Sequence, residues 1–333
     1  MYKINNKTVN KHLIHYCPHG INSKIFHPVP ATDPTLIEFK RKLFMGKDYD
    51  FVILLNSRNI NRKRISNAML AYRTFCDNIT KEEAAKCLFV IHSEIVLDAG
   101  TNHIAVKEAL CPDYNIMFSP GKLSPADLNL LYNCADITVC ASSSEGFGLS
   151  TAESIMAGTP IIATVTGGVQ DQMNFVDDKN QPLEFTGDWG SNSDGKYKKC
   201  GRWAYPVFPA TRLIQGSPQT PYIFDEVARW EDFAVGFLYW YKTSHKVREQ
   251  YGKEGREWSL SDGGISENRL GNEFIKSIEF VLNNWVKPKS YGVYSVKDYV
   301  GNTMTRGKLG LEIPKINIDE IRNKIESIKS QQP

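Results

Sequence analysis

Five short apolar runs, separated by segments of helical pattern, constrain this chain more than anything else in it. DFVILLN (50–56) is apolar from Phe51 to Leu55, as a strand covered on both faces must be. CLFVIHS (87–93), YNIMFS (114–119), DITVCAS (136–142) and PIIATV (160–165) repeat the theme. Between them Ile65, Met69, Tyr72, Phe75 and Cys76 fall at helical spacing, and His103–Leu110 reads as the next helix. Ser124-Pro125 supplies an N-cap and a first-turn proline to a third, and Leu149–Ala157 forms a fourth. Strands alternating with helices through short loops predict an α/β fold, a Rossmann-like parallel sheet with helices on both faces. Ligands on such sheets bind beyond the carboxyl ends of the strands. Asn56–Arg64, His92–Glu94, Ser119–Leu123, Ala141–Phe147 and Val165–Val169 are therefore expected along one rim.

The flanking sequence divides the chain. Residues 1–35 read as a connector-like segment, with LIHYC (13–17) as one short strand, and 36–285 as the Rossmann-like domain. Residues 170–222 break the alternation and read as an inserted loop or small hairpin over the rim, its loop-rich core at 186–222. Helices are expected at Asp225–Tyr241, 245–258 and 267–285. Residues 286–333 form a tail whose stretch 318–330 could make a docked final helix.

Composition excludes several classes. A formal charge of +3 is nearly balanced, which argues against nucleic acid as a partner and requires any basic site to be local. The seven cysteines are scattered without a C-x-x-C pair, so reduced thiols and a cytoplasmic location are expected. No apolar run approaches the roughly 20 residues of a membrane span, and the polar N-terminus lacks a signal-peptide core. No set of His, Cys, Asp and Glu has convincing metal spacing, so neither metal nor cofactor is expected.

The chemistry concentrates in Val139–Gly168. The turn Glu145-Gly146-Phe147-Gly148 precedes a helix starting at Leu149, whose free first-turn N–H groups form an anion site on the rim. Glu145 and Glu153 can face the same cleft, where carboxylates accept hydrogen bonds from sugar hydroxyls. The same spacing also fits two glutamates that merely complement a helix dipole and solvent. Arg58, Arg62, Lys63 and Arg64 leave the first strand and would clamp a diphosphate if the sheet sets them beside Gly148; otherwise they are a solvated basic turn or a nucleic-acid patch. Gly158-Thr159-Pro160 reads as a helix stop. For Gly167-Gly168, ligand contact and plain turn geometry fit equally, and Ser119–Leu123 could line a planar base or be an ordinary loop.

Glu145-Gly146-Phe147-Gly148-Leu149, Glu153, Ala157-Gly158-Thr159-Pro160 and Gly167-Gly168 together resemble the E-x7-E signature of retaining GT-B glycosyltransferases, the GT4-like "glycosyl transferases group 1" family. HGINSKIF (19–26) resembles that family's interdomain connector, Arg58 and Lys63 its phosphate-binding pair, and Leu123 with 124–137 the segment before the signature. The resemblance spans about residues 16–285 in order. It implies a nucleotide-diphospho-sugar donor and sugar transfer to an acceptor hydroxyl with retention, without metal. Arg58 and Lys63 would neutralise the diphosphate. Glu145 and the backbone of Gly146, Phe147, Gly148 and Leu149 would hold the sugar, Glu153 the ribose, and Lys122 and Leu123 the base. With only about 18 residues before the connector-like motif, the chain is expected to be the donor-binding half, the C-terminal half of a GT-B fold. The acceptor half would come from a separate subunit or a homodimer. The alternative is a non-catalytic nucleotide-sugar-binding or interaction module that needs a separate acceptor domain.

Overall fold

The structure is a computed structural model and describes residues 3–4, 7–8, 17–183, 197–216 and 223–284. The chain divides into two units, Met1–Ser277 and Ile278–Pro333, and the site lies wholly in the first. In chain order its elements begin with two-residue strands β1 (Lys3–Ile4) and β2 (Lys7–Thr8), then α1 (Pro34–Leu43) and β3 (Phe51–Asn56). Next come α2 (Ile65–Cys76), α3 (Lys81–Ala85), β4 (Cys87–His92), α4 (His103–Leu110), β5 (Ile116–Phe118) and α5 (Pro125–Asn133). They are followed by β6 (Ile137–Cys140), α6 (Leu149–Met156), β7 (Ile161–Thr164), β8 (Ala204–Val207), β9 (Thr211–Gln215) and β10 (Ile223–Val227). Helices α7 (Trp230–Lys242), α8 (His245–Leu260) and α9 (Glu267–Asn284) complete the described residues.

Six strands form one sheet in the order β5-β4-β3-β6-β7-β8, every pair parallel. The chain builds outward from β3 to β5, then returns to lay β6 on the other side of β3. The switch point therefore lies between β3 and β6, where an open parallel sheet presents its crevice. Alternation along β3 sorts the core. Phe51, Ile53 and Leu55 pack with Tyr72, Phe75, Phe237 and Trp240 of α2 and α7, while Val52 and Leu54 pack with Leu131, Tyr132 and Met156 of α5 and α6. All of these are buried, so the sheet is covered on both faces, which is why its strands read as continuous apolar runs.

Two expectations need correction. β8 is a sixth parallel strand inside the stretch read as an insert; it pairs with β7 at the sheet edge, where the missing N–H of Pro206 is tolerated. Asp225–Val227, expected at the start of a helix, belongs to β10, which pairs antiparallel with β9, and α7 begins only at Trp230. Residues 13–16 of the LIHYC strand, parts of the 186–222 insert and the helix expected at 318–330 lie outside the described residues. The short helices α1 and α3, capped by Asp33 and by a Thr80–Glu83 capping box, were not anticipated from periodicity. All seven cysteines are free, and no described helix is long and apolar enough to cross a membrane.

The connector-like segment is strapped to the domain rather than passing by it. Ile21 bridges Ser266, Ser23 donates twice to the Glu267 carboxylate, and the N–H groups of His27 and Val29 donate to Asn129 and Asn133 of α5. Arg256 of α8 donates to the carbonyls of Ser23, Phe26 and Met156, so one guanidinium joins the connector to the end of α6.

Candidate active site

The switch point brings the loop after β3 against the loop after β6. A short 3-10 turn, Asn61–Lys63, follows β3 and ends at Arg64, which takes the left-handed conformation (φ 51°) before α2 starts. This turn delivers the Lys63 ammonium onto Oε1 of Glu145. Arg62 Nη1 stands 3.1 Å from Oε2 of the same carboxylate and also donates to the Ser144 carbonyl. Ser142 Oγ donates to Oε1 at 2.7 Å. The Glu145 side chain is only 7 % exposed and Lys63 15 %, so the pair is shielded from water and weakly screened. Burial pushes the Glu145 carboxyl up, but the Lys63 charge and hydrogen bond, the Ser142 hydroxyl and the Arg62 charge outweigh it, leaving its pKa below the ordinary value. Glu145 is thus an ionised carboxylate held by two cations.

The next residues turn the chain into α6. Gly148 is its N-cap, at φ 88°, and no side chain caps the first turn. Gln172 donates to the carbonyls of Phe147 and Gly148, fixing the turn from behind. Gly167 and Gly168 are explained by the same packing: a Cβ at either would lie 2.0 Å from the Glu145 carbonyl oxygen or 2.3 Å from that of Gly146. Close backbone approach within the fold therefore accounts for this glycine pair. Gly146 differs, with nothing within 4 Å of a Cβ built there, and it faces open space. Gly158 sits at φ 82° just beyond α6, the left-handed stop expected of it.

Glu153 lies one turn into α6 and faces the same rim. Tyr132 O–H donates to its Oε2 at 2.8 Å, and Asn56 Nδ2 at the end of β3 donates to the Tyr132 oxygen at 2.8 Å. Burial raises the Glu153 carboxyl to about 7, the Tyr132 bond opposing. The two glutamates thus differ in charge state near neutrality, one held ionised by cations, the other poised at its titration point.

The remaining candidates spread along the rim. Arg58 does not join the Glu145 cluster; its side chain is 72 % exposed and its Nε stands 3.6 Å from Glu94 Oε1. Leu149 is half exposed, Lys122 is exposed, and Leu123 packs partly against the core. His92 bonds Ser119 across the rim at 3.2 Å, and burial lowers its pKa. Sequence reasoning did not single out four partners. Arg62, rather than Arg58, stands with Lys63 on Glu145, and a run of four cations at 58, 62, 63 and 64 gives no pattern by which to choose between them. Tyr132 falls on the core face of α5, and Asn56 is expected on the rim but without a partner. His19 of the connector stacks on Phe147, with ring centroids 5.3 Å apart, and only its place in the connector-like motif hinted at the rim. Among the described residues no three His, Cys, Asp or Glu side chains are grouped as metal donors.

Residues 38–180 match the model of the family described as Glycosyl transferases group 1. The alpha-monoglucosyldiacylglycerol synthase of Streptococcus pneumoniae is 27 % identical over 148 residues, 44 % of this chain and 31 % of that protein. The chain thus spans under a third of the length of this curated relative. Among solved structures, a sucrose-phosphate synthase from Thermosynechococcus elongatus superposes with a TM-score of 0.53 at 17 % identity, over 80 % of this chain and 52 % of that one. HepE from Anabaena, in complex with UDP-glucose, gives 0.52 at 12 % identity over 79 % of this chain and 56 % of HepE. At such identities the likeness is one of fold, and it extends to about half of each structure. The match to the glycosyl transferases group 1 model thus runs from β3 to β7, across the loops that carry Lys63, Glu145 and Glu153, and the sheet around it is of the GT-B, Rossmann-like type.

Proposed function

We propose that this domain binds a nucleotide-diphospho-sugar and activates it for transfer of the sugar to an acceptor hydroxyl with retention at the anomeric carbon. The observation that carries the reading is the meeting of Lys63, Arg62 and Glu145 at the switch point, directly before the uncapped start of α6. Lys63, with Arg62 beside it, and Arg58 from further along the rim neutralise the diphosphate as the bond from the anomeric carbon to the phosphate oxygen breaks. The first-turn N–H groups of α6 stabilise the same developing charge, so the chemistry requires no metal. Glu145 and the backbone around Gly146, Phe147, Gly148 and Leu149 receive the sugar hydroxyls. Glu153 takes the ribose hydroxyls as an acceptor, a role that suits its ionised form. Lys122 and Leu123 border the base. Acceptor recognition falls to residues outside this donor-binding domain.

UDP-glucose is the donor to test first, because it is the ligand named for the HepE structure. Ligand at about 100 times its dissociation constant adds about 2.7 kcal/mol to stability, enough to raise the melting temperature by several degrees. Arg58→Ala, at an exposed position, should melt like the wild type without ligand and lose the shift. If UDP-, GDP- and ADP-glucose all leave the melting temperature of the wild type unchanged, the reading fails.

A further inference from the structure

A second cleft, of about 380 Å³, opens on the other side of the loop after β3. Its walls are that loop, the first turn of α2, the approach to α4 and the β9–β10 hairpin; Lys63, Glu145, Phe147 and Glu153 do not line it, while Arg62 does. Three independent features converge there. The first is charge. α2 begins without a cap, since Arg64 at its N-cap makes no side-chain bond to the first turn, and Ile65, Ser66 and Asn67 of that turn line the cleft. Such N–H groups lack intrahelical acceptors and sit at the positive end of the helix dipole, with Arg62 and Arg64 on the same wall.

The second feature is His103, which is fully buried and lines the cleft, yet neither ring nitrogen has a hydrogen-bond partner among the described residues. Burial lowers its pKa, so the ring is neutral, with one donor and one acceptor nitrogen. The third is Asp225, 2 % exposed, whose Oδ2 stands 3.5 Å from Arg64 Nη2 while its Oδ1 is unpartnered among the described residues. Buried polar atoms are ordinarily paired, so two orphans on one cleft call for a ligand that supplies their bonds.

We infer that this cleft binds a small phosphorylated polyol. The phosphate sits at the α2 N-terminus between Arg62 and Arg64, and the hydroxyl groups bond Asp225 Oδ1 and the His103 ring. The carboxylate decides between ligand classes: beside a bare oxyanion Asp225 would be repulsive, whereas a hydroxyl donates to it. The volume is within the range of small-molecule sites.

The test uses the full chain with ribose 5-phosphate, ribose and inorganic phosphate as probes, read by calorimetric titration and by the nitrogen-15 signals of the His103 ring. His103→Phe identifies those signals and keeps the ring stack on Phe118. Ribose 5-phosphate should move the His103 signals and bind at least roughly tenfold more tightly than inorganic phosphate, a gap of about 1.4 kcal/mol. Ser66→Asp places a carboxylate in the first turn of α2, which suits the helix dipole and keeps the fold. It should abolish ribose 5-phosphate binding and leave UDP-glucose binding as in the wild type. Asp225→Asn should reduce ribose 5-phosphate to the affinity of inorganic phosphate. Unmoved His103 signals, equal affinities for the two phosphates, or full binding by Ser66→Asp would each overturn the assignment. Failure of the wild type to bind UDP-glucose would count against the donor site alone.

Discussion

Replacing Glu153 by glutamine should stabilise the fold, and the gain should appear only as the pH rises. In the folded chain burial holds this carboxyl at about 7, against 4.5 for an unperturbed glutamate. Between those values the folded state keeps a proton that the unfolded state has released. The folded state therefore binds more protons there, and stability falls as pH increases through the interval. At about 1.4 kcal/mol per pH unit, the gap between 4.5 and about 7 amounts to about 3 kcal/mol once both states are ionised. Glutamine keeps the length of the side chain and an oxygen for the Tyr132 hydroxyl, without titrating. Urea unfolding of Glu153→Gln and wild type should give equal stabilities near pH 4.5 and a difference approaching about 3 kcal/mol near pH 8. A difference that stays constant across that range, or a wild type favoured at high pH, would refute the reasoning. The same variant should bind UDP-glucose less tightly if the ionised carboxylate takes the ribose hydroxyls, making this residue a case of stability given up at a binding site.

Lys63→Met should leave the Glu145 carboxylate buried with one cation, Arg62, beside the Ser142 hydroxyl and the Cys140 thiol, and calorimetric unfolding should show a loss of about 3 kcal/mol at pH 7, shrinking at low pH where Glu145 takes a proton. Two glycines separate packing from binding. Gly168→Ala drives a Cβ to 2.3 Å from the Gly146 carbonyl oxygen, so thermal unfolding should reveal a loss of about 1–3 kcal/mol. Gly146→Ala meets nothing within 4 Å and should unfold within about 0.5 kcal/mol of wild type, while titration with UDP-glucose should show weakened binding because the new methyl fills the donor's approach.

Much of the fold was legible because burial on both faces writes a strand as an unbroken apolar run. β3 and β4 announce themselves in FVILL and CLFVI, and α2 in the stripe from Ile65 to Cys76. β8 was not legible: it is four residues long, sits at the edge with Tyr205 and Pro206 half-buried, and follows a glycine- and aspartate-rich stretch. Val227 was read into α7 because it extends that helix's apolar stripe backwards. The hairpin claims it instead, since five paired residues of β9 and β10 satisfy a backbone that an extra helical turn would have satisfied locally. At the site, Glu145 and Lys63 could be named from motif and order. Arg62 could not be chosen over Arg58, because the 3-10 turn at Asn61–Lys63 sets which cation swings inward, and such a turn has no apolar period. The Asn56–Tyr132–Glu153 chain was hidden for another reason: it joins the end of a strand, the last turn of α5 and the middle of α6 across 76 and 21 residues of sequence.

The strap made by Arg256 bears on the order in which the molecule assembles. Its bonds to Ser23 and Phe26 span 233 and 230 residues. During synthesis β3 to β7 can emerge and pair before α8 exists, since they need only neighbours within about 115 residues of one another. The connector, however, has nothing to hold it on the α8 side until residue 256 has been made. The connector beside the His19–Phe147 stack thus gains its second anchor only in the last third of the chain, and a ribosome-bound intermediate would possess the sheet and both glutamates while the connector was held by α5 alone.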